Sequence, residues 1–193
     1  MEGSRKMKLR KLLVLVVLLS LWGGTMMFAD AATQKVRVAV NGSELGDSGM
    51  LIDGTTYLPL RQIAGTLQSL ITWDESSKKV TIDKPNVHMF TFKDKSPFGK
   101  VTKGSKFSFW VWAQVDSLNT DISAVKIVLA SPGGKEQLIQ SLKVTSRKAD
   151  FQVLTEEIKH EFDAAGSYAV RMYMMPSGSE DWTLVSEKLI VTE

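Results

Sequence analysis

The sequence contains no cysteine. Disulfides, thiolate metal sites, a cysteine nucleophile and a lipid-carrying N-terminal cysteine are therefore excluded. Histidine is almost as scarce. His88 and His160 stand 72 residues apart, which rules out imidazole-rich coordination. There is no Gly-x-Ser-x-Gly, no His-Glu-x-x-His, no glycine-rich phosphate loop and no calcium-loop pattern. The expectation is a chain with no catalytic residues, no metal and no cofactor. The acidic cluster Glu156, Glu157, Glu161 and Asp163 supplies carboxylates of the kind a glycosidase uses. It sits beside Lys159 and His160 near a turn, and a solvated loop is the preferred reading.

An excess of charge is also missing once the chain is divided. The whole sequence has 24 basic and 21 acidic side chains. Residues 1–31 hold five of the former (Arg5, Lys6, Lys8, Arg10, Lys11) and two of the latter (Glu2, Asp30), leaving 19 of each. The remainder is neutral, so the electrostatic case for nucleic acid or acidic lipid lapses.

What is present begins with an address. A basic stretch ends at Lys11, an apolar run follows over residues 12–22, Gly23-Gly24 breaks it, and Ala29-Asp30-Ala31 offers small residues to a peptidase. These are the parts of a secretory signal, with cleavage expected after Ala31. The apolar helix is short against the roughly 20 residues that span a bilayer. Extended to Phe28 it becomes an uncleaved anchor, which is the alternative. No membrane span is expected after cleavage, and the location is expected to be secreted or extracytoplasmic, in contact with the cell wall.

Residues 32–84 read as a small α+β domain. Val36, Val38 and Val40 alternate as on a half-buried strand. Asn41-Gly42 is a hairpin turn; it is also an Asn-x-Ser sequon, relevant only in a glycosylating system. A second tight turn is Asp53-Gly54. Pro59 suits the first turn of a helix whose apolar face is Leu60, Ile63, Ala64 and Leu67. Residues 70–73 and 79–82 then form a hairpin around the turn at 74–78.

At this point the residues resemble a family. Val38-x-Val40-Asn41-Gly42, the run from Ile52-Asp53-Gly54 through Tyr57-Leu58-Pro59-Leu60-Arg61-Gln62-Ile63-Ala64, then Trp73-Asp74 and Lys79-Val80-Thr81-Ile82 are similar to copper amine oxidase N-terminal-like domains, or stalk domains. The resemblance covers about a quarter of the chain. It implies a non-catalytic appendage, common in secreted bacterial surface proteins, and no copper site. One departure is that Leu67 is followed by Gln68, where the family has glycine and a better helix stop. Gly54, Tyr57, Pro59, Arg61, Ile63, Trp73 and Asp74 carry the motif, and each has a structural job available. Gly54 permits the turn. Tyr57, Ile63 and Trp73 are expected in the small core. Arg61 is expected to clamp Asp74 or a carbonyl, or else to meet an anionic group on a partner.

Residues 85–193 change rhythm. Candidate strands at 87–92, 106–115, 124–130, 136–144, 151–158, 167–175 and 182–191 are separated by turn signals at 96–99, 131–134 and 176–179. Seven strands suggest an immunoglobulin-like β-sandwich. The run Asp163 to Val170 is similar to the tyrosine corner of such folds, with Tyr168 as the corner and Val170 in the core. The fold class is thus mainly β with one short helix.

Residues 107–115 alternate strictly. Phe107, Phe109, Val111, Ala113 and Val115 share the apolar face, which leaves Trp110 and Trp112 on the other, roughly 7 Å apart. Tryptophans so placed stack on sugars or dock on a protein partner; alternatively they pack against the front domain or a loop of their own. Arg171 and Tyr173 lie off the core face of the proposed strand and are expected to widen the same patch. The resulting expectation is a secreted, non-catalytic binding or spacer protein of the bacterial envelope, with a cell-wall glycan or surface protein as partner. The alternative is an accessory or inhibitory protein docking on a secreted enzyme, and the sequence argues against a hydrolase.

Overall fold

The computed structural model describes residues 11, 13–17, 34–46, 49–145 and 149–193. The proposed signal and its cleavage site lie outside them, except that residues 11 and 13–17 are helical. None of the described helices is long and apolar enough to cross a membrane. The chain divides into two compact units, one ending at Pro59 and the other Leu60–Glu193.

The first unit is built from short hairpins. β1 (Gln34–Val36) pairs with β4 (Gly49–Ile52), which pairs with β5 (Thr55–Tyr57); β2 (Ala39–Val40) pairs with β3 (Ser43–Glu44). The expected single strand over 36–40 is therefore split. Val38 leaves the ladder, is buried, and bonds instead across the loop to Leu45 and Gly46. Both turns form as expected. Asn41 and Gly42 have φ of 51° and 79°, and Asp53 and Gly54 have 49° and 76°, the signs a two-residue primed turn needs. Gly49 is there for room: an added Cβ would lie 3.0 Å from Val38 and 3.1 Å from the Val36 carbonyl.

The second unit opens with α1 (Leu60–Thr66) and a hairpin of β6 (Leu70–Asp74) and β7 (Lys79–Asp83). The helix stop is instructive. Ser69 N–H bonds to the Ala64 carbonyl at 2.9 Å and Gln68 N–H to Gly65 at 3.0 Å, a Schellman closure. Gln68 takes the left-handed position at φ 55°. The motif thus forms without the glycine that would relieve its strain.

Behind the hairpin stands the sandwich. One sheet runs β10-β17-β16-β12-β13 and the other β14-β11-β8-β9, with β15 also on β11. The strands are β8 (Asn86–Lys93), β9 (Ser96–Phe98), β10 (Lys100–Val101), β11 (Lys106–Asp116), β12 (Ile122–Ala130), β13 (Glu136–Lys143), β14 (Phe151–Leu154), β15 (Ile158–Glu161), β16 (Gly166–Pro176) and β17 (Thr183–Thr192). β10 crosses to the far sheet and lies parallel to the last strand, β17. All other pairs are antiparallel, which gives an immunoglobulin-like sandwich.

Alternation fills its interior. Phe109, Val111, Ala113 and Val115 of β11 face Ile127, Leu129, Val170, Met172, Met174 and Ile190 of the other sheet. Tyr168 is buried; its hydroxyl donates to Asp163 Oδ1 at 2.9 Å and accepts from Ala164 N–H at 3.0 Å. That is the expected tyrosine corner, and Val170 is in the core. The helix and hairpin group with the sandwich for a visible reason. Leu70 is fully buried in the same core, and Asp83 Oδ2 accepts from Asn119 N–H and Thr120 N–H.

Two local expectations are corrected, and one expected strand carries an irregularity. The turn at 96–99 is strand β9, because the chain reverses earlier at Asp94, with φ 55°. The strand over 151–158 breaks in two. Thr155 turns inward, its N–H bonding to the Val111 carbonyl and its hydroxyl accepting from Val111 N–H at 2.9 Å. The hydroxyl replaces a ladder carbonyl, so β14 and β15 flank it on the same edge of β11. Finally, β12 against β13 carries a bulge at Ile139.

Candidate functional site

Two groups of residues were singled out, and the structure treats them differently. In the motif, the Gly54 turn forms and Pro59 immediately precedes α1. The aromatic rings expected in the small core are not buried within their own units. Tyr57 is 53% exposed and Trp73 50% exposed, and Ile63 is only half-buried. The positions that are buried are the smaller Val38, Ala64 and Leu70. Trp73 instead lies on the open face of a two-stranded hairpin and donates its indole N–H to Glu75 at 2.6 Å.

The expected Arg61–Asp74 clamp is also absent. Asp74 Oδ1 accepts from the Ser76 hydroxyl at 2.7 Å and its amide at 2.9 Å, and Oδ2 accepts from the Ser77 hydroxyl at 2.6 Å. The carboxylate closes its own turn. Those bonds, Ser76 first and Ser77 next, lower its pKa to about 2. Arg61 has no hydrogen bond or ion pair among the described residues. With Trp73 it lines an open hollow of about 310 Å³ beside the β16–β17 turn, where Ser177, Ser179 and Asp181 complete the wall.

The second group sits on the outer face of β8, β11 and β14. Trp110 stands opposite Phe92 and Trp112 opposite Phe90, with Leu154 on the far side of Trp112. Trp110 and Phe92 stack at 4.3 Å and 13°, and Phe90 meets Trp112 at 5.9 Å. Both indole N–H groups are satisfied within the sheet's surroundings, Trp110 by the Asp94 carbonyl and Trp112 by Gln152. The tryptophans are therefore half-buried members of a four-ring cluster, not free-standing platforms. The most open apolar groups are Leu154, at 61%, and Phe90, at 44%. His88, Gln114 and Gln152 form the adjoining polar row.

One comparison with known proteins decides part of the reading. Residues 39–102 match the copper amine oxidase N-terminal domain. This domain is the non-catalytic front part of those oxidases, and their catalytic domain is absent from the chain. The match starts at β2 and continues past the hairpin through β8, β9 and β10. No curated protein matches the chain.

Beyond the matched residues, Arg171 and Tyr173 do not extend the tryptophan patch. They lie on β16, in the opposite sheet, and face outward on the other side of the sandwich. There they close on themselves. Arg171 donates to Glu187 at 2.7 Å and Glu136 at 3.1 Å, and the Tyr173 hydroxyl donates to Glu136 at 2.7 Å. The Tyr173 bond, more than Arg171, holds the Glu136 carboxyl below its usual range. Lys126 lies over both the Tyr173 and Trp182 rings.

The acidic cluster forms no carboxylate pair. Glu161 is paired with Lys106 and Asp163 holds Tyr168. His160 packs edge-on to Phe162 and Tyr168; burial lowers its pKa, and its buried Nε2 has no hydrogen-bond partner among the described residues. Among the described residues no three metal-ligating side chains gather. Reading the sequence missed Phe90, Phe92 and Leu154. The signal was present: His88, Phe90 and Phe92 alternate with Met89 and Thr91 at the strand period.

Proposed function

We propose that this chain is an extracytoplasmic, non-catalytic binding or spacer protein of the cell envelope, which contacts a wall glycan through the outer face of β8, β11 and β14. The observation that carries the reading is the cluster of Phe90, Phe92, Trp110 and Trp112 with open Leu154 beside it. Aromatic rings next to amide side chains suit a neutral sugar: the rings cover its C–H face, and Gln114, Gln152 and His88 supply donors and acceptors for its hydroxyls. The secretory address in the sequence and the non-catalytic nature of the matched domain support the same reading.

Purified full-length chain should sediment with wall material. Trp110→Ala with Trp112→Ala should lower that retention roughly tenfold or more, as loss of a central aromatic anchor does. Far-UV circular dichroism should stay unchanged, since both rings lie on the outer face. Unchanged retention with an intact fold removes the aromatic face from the function. A chain that stays soluble and co-purifies with one secreted enzyme supports the docking alternative instead.

A further inference from the structure

Between Lys93 and Lys106 the sequence places five lysines (93, 95, 100, 103 and 106) and one acid, Asp94. In a chain whose remainder after residue 31 is neutral, this is a local concentration of one sign. The fold gathers it at one end of the sandwich. Lys93 ends β8, Lys100 begins β10 and Lys106 begins β11. All three line a hollow of about 350 Å³ with Thr102, Ser105, Val101, Phe98 and Phe107. Phe98 meets Phe107 edge-on at 5.4 Å and forms the apolar wall.

The three ammonium groups are held in different ways. Lys100 is paired with Glu193 at 2.5 Å and Lys106 with Glu161 at 2.7 Å. Glu161 raises the Lys106 pKa, first by its hydrogen bond. Among the described residues Lys93 meets only the Phe107 ring, with Nζ 4.6 Å from the centroid. Counted by side chains, the five lysines exceed Asp94, Glu161 and Glu193 by two. The Thr102 and Ser105 hydroxyls add two donors with no side-chain hydrogen bond among the described residues.

We propose that this hollow binds the phosphodiester groups of an anionic polyol-phosphate polymer, a proposal that rests on the extracytoplasmic reading above. The chemistry selects phosphate over carboxylate. A carboxylate is best matched by the planar fork of arginine, and no arginine lines the hollow. Lysines act on phosphate as point charges, and hydroxyl donors suit its several oxygens. Charge complementarity selects a polymer: Lys95 and Lys103 lie on the same loops outside the hollow and meet the next phosphate along. The geometry does not favour a lipid surface, because the exposed apolar groups Phe90 and Leu154 lie on the sheet face, not around the rim. Nor does it favour single-stranded nucleic acid, whose bases need open ring faces beside the phosphate track; Phe98 and Phe107 are half-buried.

The test is equilibrium binding of the full chain to three probes: a glycerol-phosphate oligomer, vesicles of phosphatidylglycerol, and single-stranded DNA with the same number of phosphates. The oligomer should bind best, with affinity falling as salt rises. Lys93→Gln with Lys100→Gln and Lys106→Gln should weaken it roughly tenfold or more. Lys93→Gln alone, which breaks no ion pair, should weaken it by about threefold and guards against misfolding of the triple variant. Lys79→Gln with Lys135→Gln and Lys143→Gln removes the same charge elsewhere and should have little effect. Equal losses in the two triple variants, or tighter binding to vesicles or DNA, would overturn the proposal. So would no binding of the oligomer. Trp110→Ala with Trp112→Ala should leave oligomer binding intact, so that failure of the aromatic face and failure of the lysine hollow are read separately.

Discussion

The β6–β7 hairpin and the sandwich behind it are both antiparallel and both carry prominent aromatic residues, yet they are held in different ways. In the hairpin the bonds are between neighbours: Asp74 to Ser76 and Ser77, Trp73 to Glu75, Lys78 to Glu75. Its tryptophan is half in solvent. In the sandwich the decisive contacts join distant residues: Val111 to Thr155, and Phe109 and Val111 against the facing sheet. A short motif can therefore be specific in sequence while specifying turns. The longer, less distinctive strands specify the core. Only a small area is available to bury in so short a hairpin, so local polar closure takes over.

The contrast can be broken most directly at Tyr168. Tyr168→Phe keeps the buried ring and removes the hydroxyl that joins Asp163 and Ala164. It should cost about 1 kcal/mol in urea unfolding, the range for an ordinary hydrogen bond, since the Asp163 acceptor is exposed. No measurable loss would mean that the corner is filled by packing alone. The hairpin side should answer in the opposite direction. Gln68→Gly places the favoured residue at φ 55° and should raise stability by about 0.5–1 kcal/mol. A decrease would show that the Gln68 side chain contributes something its position does not reveal.

The smallest effect is expected at Asp74, and it is a dependence on pH. Its folded pKa, about 2, lies below the ordinary 3.8. A depressed carboxylate stabilises the fold above its unfolded value, and that contribution disappears as pH falls from about 4 toward 2. The difference in melting temperature between the natural chain and Asp74→Asn should therefore be present at pH 6 and close near pH 2. A difference that persists in acid would assign the role to the shape of the side chain and not its charge.

Much of the sandwich was legible because period-2 alternation is a direct print of burial. The β11 face follows from it; the Tyr168 corner and Val170 were legible from the likeness of residues 163–170 to a tyrosine corner. The Asn41-Gly42 and Asp53-Gly54 turns were legible for an equally direct reason, their tolerance of positive φ. The break at Thr155 was not, because a threonine hydroxyl standing in for a ladder carbonyl looks like any strand threonine. The exposure of Trp73 was hidden too. A tryptophan suggests a core, and nothing local reveals that this face of a two-stranded hairpin leaves the ring half in solvent. Arg171 and Tyr173 were placed on an outer face, but alternation along one strand does not say which sheet that strand joins.

The interruption at Thr155 has a further consequence at the rim of the molecule. β14 and β15 are four residues each, and across the sandwich β13 is bent by its bulge at Ile139. A straight, unbroken border is what lets a neighbouring chain zip on and seed fibrils. With one sheet's border broken and the other's bulged where they meet, that flank denies it the template, so copies should resist fusing edge to edge there.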